Sequence, residues 1–138
     1  MLEVLASLFY LTGGDRYRVG AETQIAAFAG EAVRNAIPVA SLLSGIDFFL
    51  NGTQIVIRAG EGTDTLLRVV HDSCVPNRLL SVLAASEECP KEHPAHGKGN
   101  IIDRATAYVC VGNSCSLPLT DPNALRNALA GPSAAIKL

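Results

Sequence analysis

The sequence predicts an α/β chain, with an N-terminal helical hairpin followed by a small three-stranded, mainly parallel α/β layer. Three observations carry this expectation. Before Asn51 the apolar residues recur at helical spacing. At Asn51-Gly52 the period changes sharply, and compact β-branched runs follow. A strand, a helix and a second strand then succeed one another within about 30 residues, the length of a βαβ unit, which favours a parallel, right-handed crossover.

Each element has a local reason. Leu5, Leu8, Phe9 and Thr12 follow i, i+3, i+4, i+7 spacing, the pattern of a buried helix face. Thr12-Gly13-Gly14 breaks that helix, and Asp15 is placed to cap the next. The second helix runs from Asp15 to about Asn35, with Tyr17, Ala21, Gln24, Ile25 and Phe28 at helical spacing. Pro38 opens a third, about Val39 to Leu50, carrying Leu42, Leu43, Ile46 and Phe49. Gln54 to Arg58 is a strand. Gly60-Glu61-Gly62 leads into a helix capped by Thr63 or Asp64, with Leu66, Leu67, Val69 and Val70 apolar. Arg78 to Leu83 reads as a second buried strand. Residues 87–103 are polar, with two prolines, and read as a long exposed loop. Ala105 to Val111 is the third strand, Gly112-Asn113-Ser114 turns the chain, and Leu117-Pro118-Leu119 is extended. Asp121 as N-cap and Pro122 at the first position open a last helix, which points Leu125 and Leu129 inward and stops at Gly131-Pro132.

Composition bounds the function classes. The chain has 138 residues, a size that suits one folding unit burying about 68% of its unfolded surface. Hydrophobic residues are 49% and charged residues 17%, so core material is ample. Aromatics are 5% with no Trp, so the core is aliphatic. A net charge of −2 supplies no basic face for phosphates, which argues against nucleic acid as a partner. No apolar run reaches the roughly 18 residues of a membrane span, so no membrane partner is expected. Met1 precedes the first apolar pattern without a capping side chain, and there is no secretory leader. Both features suggest a chain opened partway through a longer architecture, divided into helices over 1–50 and an α/β segment over 51–138. With no secretion signal, the four cysteines are expected as reduced thiols in a cytoplasmic protein.

Candidate chemistry is sparse. Cys110 and Cys115 are separated by a strand end and a turn, close enough for a disulfide or a shared metal, or for a packed, turn-stabilising pair. They lack the C-x-x-C spacing at a helix start that lowers a thiol pKa. Cys89, His93 and His96 form C-x3-H-x2-H, with His71 and Cys74 on the preceding helix. These are metal-capable side chains, but on a loop without a rigid frame, so no metal is expected. Gly60-Glu61-Gly62-Thr63 lacks a full phosphate-binding fingerprint, and Glu61 would repel an anion. Asp15, Glu22, Glu31 and Asp47 are too scattered for paired-carboxylate chemistry, and Asp72 beside His71 makes no triad. The expectation is no catalytic residue and no cofactor.

Ala105-Thr106-Ala107-Tyr108-Val109-Cys110, then Cys115, Leu117-Pro118, Thr120-Asp121-Pro122 and Leu125, resembles the extreme carboxy-terminus of the YyaL-like family, thioredoxin-domain-containing proteins that include spermatogenesis-associated protein 20. Leu11-Thr12-Gly13-Gly14-Asp15-Arg16-Tyr17 is similar to family text with one added glycine. Gln54-Ile55-Val56-Ile57 and His93-Pro94-Ala95 also fit. The resemblance implies an N-terminal thioredoxin-like domain, an α/α toroid similar to epimerases of the six-hairpin-glycosidase type, and finally this segment. The leading helices would be the end of that α/α toroid. The thioredoxin-type cysteines belong to a part absent here, so Cys110 and Cys115 do not inherit their role. Ile57-Arg58-Ala59-Gly60 departs from the family, which is more apolar there. The function implied is a non-catalytic C-terminal structural segment. The alternatives are a thiol-redox or metal-binding module using Cys110 and Cys115, and the scaffold part of a carbohydrate-active enzyme. Expected partners are the missing N-terminal domains of the same polypeptide and a second copy, through exposed apolar helices.

Overall fold

The computed structural model describes residues 1–34, 37, 40–112 and 114–130, without the side chains of 31–33. Three helices lead: α1 (Leu2–Thr12), α2 (Asp15–Arg34) and α3 (Ala40–Asn51). Then come β1 (Thr53–Arg58), α4 (Thr63–Asp72), β2 (Arg78–Leu83), β3 (Thr106–Val111), β4 (Ser114–Cys115) and α5 (Pro122–Ala130). Asn35, Pro38, Val39, Asn113 and the expected stop at Gly131-Pro132 lie outside the described residues.

The strands form one four-stranded sheet in the order β2-β1-β3-β4. β1 and β2 are parallel, as the βαβ spacing predicts. The expected three-stranded, mainly parallel layer is nevertheless incorrect: β3 runs antiparallel to β1, and β4 antiparallel to β3. The register shows why. Arg58, the last residue of β1, lies beside Leu83 of β2 and Thr106 of β3, so β2 ends and β3 begins at the same end of the sheet. A parallel β3 would need the intervening chain to travel back along the sheet, which usually takes a helix. Residues 84–105 form turns and single bridges but no helix, so β3 must return in the opposite sense. β4 follows from a turn at Gly112, whose φ of 56° suits glycine.

β1 is central and buried along its whole length, because both faces of the sheet are covered. On one face Ile55, Ile57, Ala105 and Ala107 pack against Leu66, Val69 and Val70 of α4 and Leu125 and Leu129 of α5. On the other, Leu79 of β2 joins Ala6, Tyr10 and Phe48 of the helical layer. Strand side chains alternate, so Gln54, Val56 and Arg58 share this second face with their cross-strand partners Cys110, Tyr108 and Thr106.

The helical faces differ from the expected ones. α1 buries Leu2, Ala6 and Tyr10, while Leu5, Leu8 and Phe9 are half-buried and Thr12 is exposed. α1 packs against both α2 and α3, which widens its buried arc and centres it on Ala6. α3 turns Gly45 and Phe48 inward, and a Cβ at Gly45 would stand 3.2 Å from the Leu2 side chain. Phe28 and Leu43 face outward, 47% and 39% exposed. Tyr10 ties α1 to α3 by donating its hydroxyl to Phe49 O at 2.7 Å.

Two caps differ from the expected ones. Asp15 is the first helical residue of α2, and its carboxylate accepts from Arg18 instead of capping. At α4 the capping position belongs to Gly62, with φ 88°, while Thr63 Oγ1 accepts from Gly60 N–H at 3.0 Å. Asp121 caps α5 as expected, accepting from Asn123 and Ala124 N–H.

Gly60 is required by space. A Cβ there would sit 2.7 Å from Ala105 N and against Asp103 O. The Gly60→Ala variant is expected to lose about 2 kcal/mol of stability, the usual scale of overpacking, read as a lowered midpoint in urea unfolding.

Candidate functional site

The loop-covered face of the sheet carries the chain's concentrated polar chemistry. Arg58 projects from the end of β1 and is 3% exposed. Its Nε donates to Lys98 O at 2.8 Å, Nη1 to Glu87 O at 2.6 Å and Ala84 O at 3.2 Å, and Nη2 to Ala95 O at 3.1 Å. Nη2 also lies 3.6 Å from Cys89 Sγ. The ion pairs among the described residues are those of Arg18 with Asp15 and Glu22 on α2, so the Arg58 charge is solvated by backbone dipoles instead of a carboxylate. Thr106 and Tyr108 on β3 continue the pinning. Thr106 Oγ1 accepts from Ile101 N–H at 3.0 Å, and the Tyr108 hydroxyl donates to Gly99 O at 2.8 Å. The segment expected as an exposed loop is exposed at most of its side chains, as read, but its backbone is tied to the sheet, with Ala95 and His93 buried.

This anchoring places Lys98. Its ammonium stands 5.4 Å from the Tyr108 ring centroid and 4.0 Å from Cys110 Sγ. Burial pushes the Lys98 amine below its ordinary range. It pushes the Tyr108 hydroxyl up, an effect partly opposed by the Arg58 charge. Cys110 faces Cys115 across β3 and β4, and the two are disulfide-bonded, in contrast to the reduced thiols expected from sequence. Cys110 is fully buried, whereas Cys115 is half-buried and lines a cavity of about 370 Å³. Phe9, Tyr10 and Phe49 wall that cavity on the helical side, and Gln54, His93 and Lys98 line it from the sheet and loop. A second cleft of about 460 Å³ lies on the other side of Lys98, lined by Arg58, Glu87, Cys89 and His96.

The histidine and cysteine cluster read from sequence does not converge. His93 Nδ1 accepts from Ala95 N–H at 3.1 Å. His96 Nδ1 lies 2.8 Å from Cys89 O, a geometry that makes this nitrogen the donor. The Cys89 sulfur faces a guanidinium, a poor neighbour for a metal cation. His71 and Cys74 are exposed at the end of α4, which covers the opposite face. Among the described residues no three His, Cys, Asp or Glu side chains come together. Among them, no helix is long and apolar enough to cross a membrane.

The other candidates are also dispersed. Asp15 and Glu22 bind Arg18 at the surface, and Asp47 accepts from Asn51 and Asn77. Asp72 is exposed, and the side chain of Glu31 lies outside the described residues. At the glycine turn, Glu61 N–H donates to Asp103 O and Thr63 N–H to Gly60 O, so those groups are taken by backbone carbonyls. Sequence reasoning missed Lys98 and Tyr108. Their available signal was alternation: a polar or aromatic side chain at every second position of a strand marks a face that meets polar chain.

Replacing Arg58 with Met strands the loop carbonyls it satisfies and is expected to cost about 3 kcal/mol, with faster proteolysis within residues 84–105. Arg58→Lys should recover only a minor part, because one ammonium cannot span the same acceptors. His93 is held below its ordinary value of 6.5, first by burial and second by the Arg58 charge, with Glu87 opposing. A depressed histidine contributes stability present above the unfolded value, and lost as pH falls through it toward the folded one. Melting temperature should therefore decline below about pH 6.5, and His93→Gln should flatten that part of the profile.

No family model matches the chain. No solved structure matches it. The chain is 39% identical over 83 residues to spermatogenesis-associated protein 20 of Homo sapiens, covering 55% of this chain and 10% of that protein. It is 38% identical over 71 residues to the protein of the same name from Mus musculus, covering 49% of this chain and 9% of that protein. The chain thus spans about a tenth of the length of the curated relatives it matches. It is a distant homologue of spermatogenesis-associated protein 20.

Proposed function

We propose that this chain is a non-catalytic structural segment of a longer polypeptide, its helices packing against the preceding part of the same chain. The observation that carries this reading is a set of apolar side chains left uncovered on the helical layer. Val4 and Leu11, seven residues apart on one face of α1, are 56% and 44% exposed. Leu43 and Leu50, equally spaced on α3, are 39% and 63% exposed. Residues seven apart lie on the same side of a helix, so each pair makes a stripe and not a scatter. Exposed apolar side chains aligned along a helix mark a surface that another body covers.

The length of the relatives supports the choice of occupant, since they hold roughly nine times as much chain outside the matched region as within it. On the family resemblance, that occupant is an α/α toroid of which α1 to α3 are the last helices, preceded by a thioredoxin-like domain. The aliphatic core between the sheet, α4 and α5 then serves as a rigid cap on that assembly.

The 138-residue chain, expressed alone, is expected to bind an apolar-surface dye and to self-associate on size exclusion with light scattering. Changing Val4, Leu11, Leu43 and Leu50 together to Ser should suppress both while leaving the far-UV circular dichroism unchanged. A monomer that binds no dye would overturn the proposal.

A further inference from the structure

We infer that the Cys110–Cys115 bond is a thiol–disulfide exchange site that opens to a small dithiol arriving through the aromatic-walled cavity, with Lys98 as the cation beside the leaving sulfur. The two sulfurs are not equivalent. Cys115 is half-buried and lines the cavity, whereas Cys110 is fully enclosed on β3. A nucleophile can therefore reach only the Cys115 sulfur. Attack there breaks the S–S bond and sends the electron pair to Cys110 Sγ, which stands 4.0 Å from the Lys98 ammonium. A cation beside a nascent thiolate lowers its pKa, and a leaving thiolate of lower pKa departs faster. The sulfur of the half-buried, cavity-lining cysteine is thus the site of attack, and the enclosed, cation-facing sulfur is the better leaving group.

The reaction balances with a dithiol as co-reactant. Its first thiolate forms a mixed disulfide with Cys115 and releases Cys110 as a thiolate. Its second thiol, as thiolate, attacks its own sulfur in that mixed disulfide, closes the dithiol's ring and releases Cys115. Two electrons pass from the dithiol to the cystine, and the two thiol protons end on Cys110 and Cys115. Lys98, held in a less hydrated setting than a surface lysine, can give its proton to Cys110 and take one back from water. Its position is secured by two features of the fold, Arg58 on its carbonyl and the Tyr108 ring beside its ammonium.

The test uses the full oxidised chain, acid quenching and peptide mass spectrometry, so that Cys110 and Cys115 are scored apart from the free Cys74 and Cys89. With glutathione as the probe, the expected adduct is on Cys115, with Cys110 released as the free thiol. With dithiothreitol as the probe, Lys98→Met is expected to slow opening about tenfold, and Lys98→Arg to restore most of the rate. An adduct on Cys110, opening of Lys98→Met at the unaltered rate, or Lys98→Arg as slow as Lys98→Met would overturn the inference. So would alkylation of both cysteines before any reductant is added. The position of the adduct is read on the unaltered chain, so it decides the matter even where Lys98→Met fails to fold.

Discussion

A single buried guanidinium at the end of the central strand organises the polar half of this molecule. Arg58 leaves water without a carboxylate partner, and its cost is offset by four backbone carbonyls drawn from residues 84–98. Residues 84–98 hold too few apolar side chains to collapse onto the sheet by hydrophobic burial. A planar fork with five donors can gather carbonyls from several directions at once, as an ammonium on a flexible stem cannot. The consequence extends beyond the loop. Fixing the Lys98 carbonyl fixes where its side chain begins, and that side chain then reaches the Tyr108 ring and the Cys110 sulfur.

The elements legible in the sequence are those whose cause is local. β1, α4 and β2 follow from a β-branched run, a glycine turn and an apolar stripe, and α5 follows from Asp121-Pro122. The direction of β3 has no local cause. It depends on whether residues 84–105 cross the sheet or return to the same end, and Arg58 settles that by holding this segment against the end of β1. β4 is equally non-local, two residues long and defined by its partner strand more than by its own composition. The buried face of α1 differs from the expected one for a related reason. Spacing alone finds a single stripe, but a helix wedged between two others buries an arc, and Ala6 at the contact counts for more than the larger Leu5.

The same distinction governs the site. Cys110 and Cys115 stand out in the sequence because the turn between them is short, so their proximity was readable. Lys98 and the depth of each sulfur were not, because they depend on how a distant loop is folded down. Cys89, His93 and His96 show the limit of spacing as a guide. Their spacing suggests shared ligation, but side-chain direction is set by the turns of the loop, which commit both ring nitrogens Nδ1 to backbone groups. Arg58, read from the family resemblance as a departure from a more apolar pattern, holds the loop that carries them.

The two faces of the sheet therefore do different work, and this bears on what opening the disulfide would change. The aliphatic face, shared with α4 and α5, contains neither cysteine of the bridge. At the far edge, β3 is held to the following chain by more than that bridge. Ala107 and Leu119 exchange both backbone hydrogen bonds, and Ser116 N–H donates to Val109 O. Those contacts are independent of the sulfur–sulfur bond, and Leu119 packs against the aliphatic core. At the tip of the hairpin, where Cys115 borders the cavity, the bridge adds to the pairing of Cys110 with Cys115 and of Val111 with Ser114. A change in its redox state is thus compatible with an intact core and acts where the helical layer, the pinned loop and the sheet edge meet.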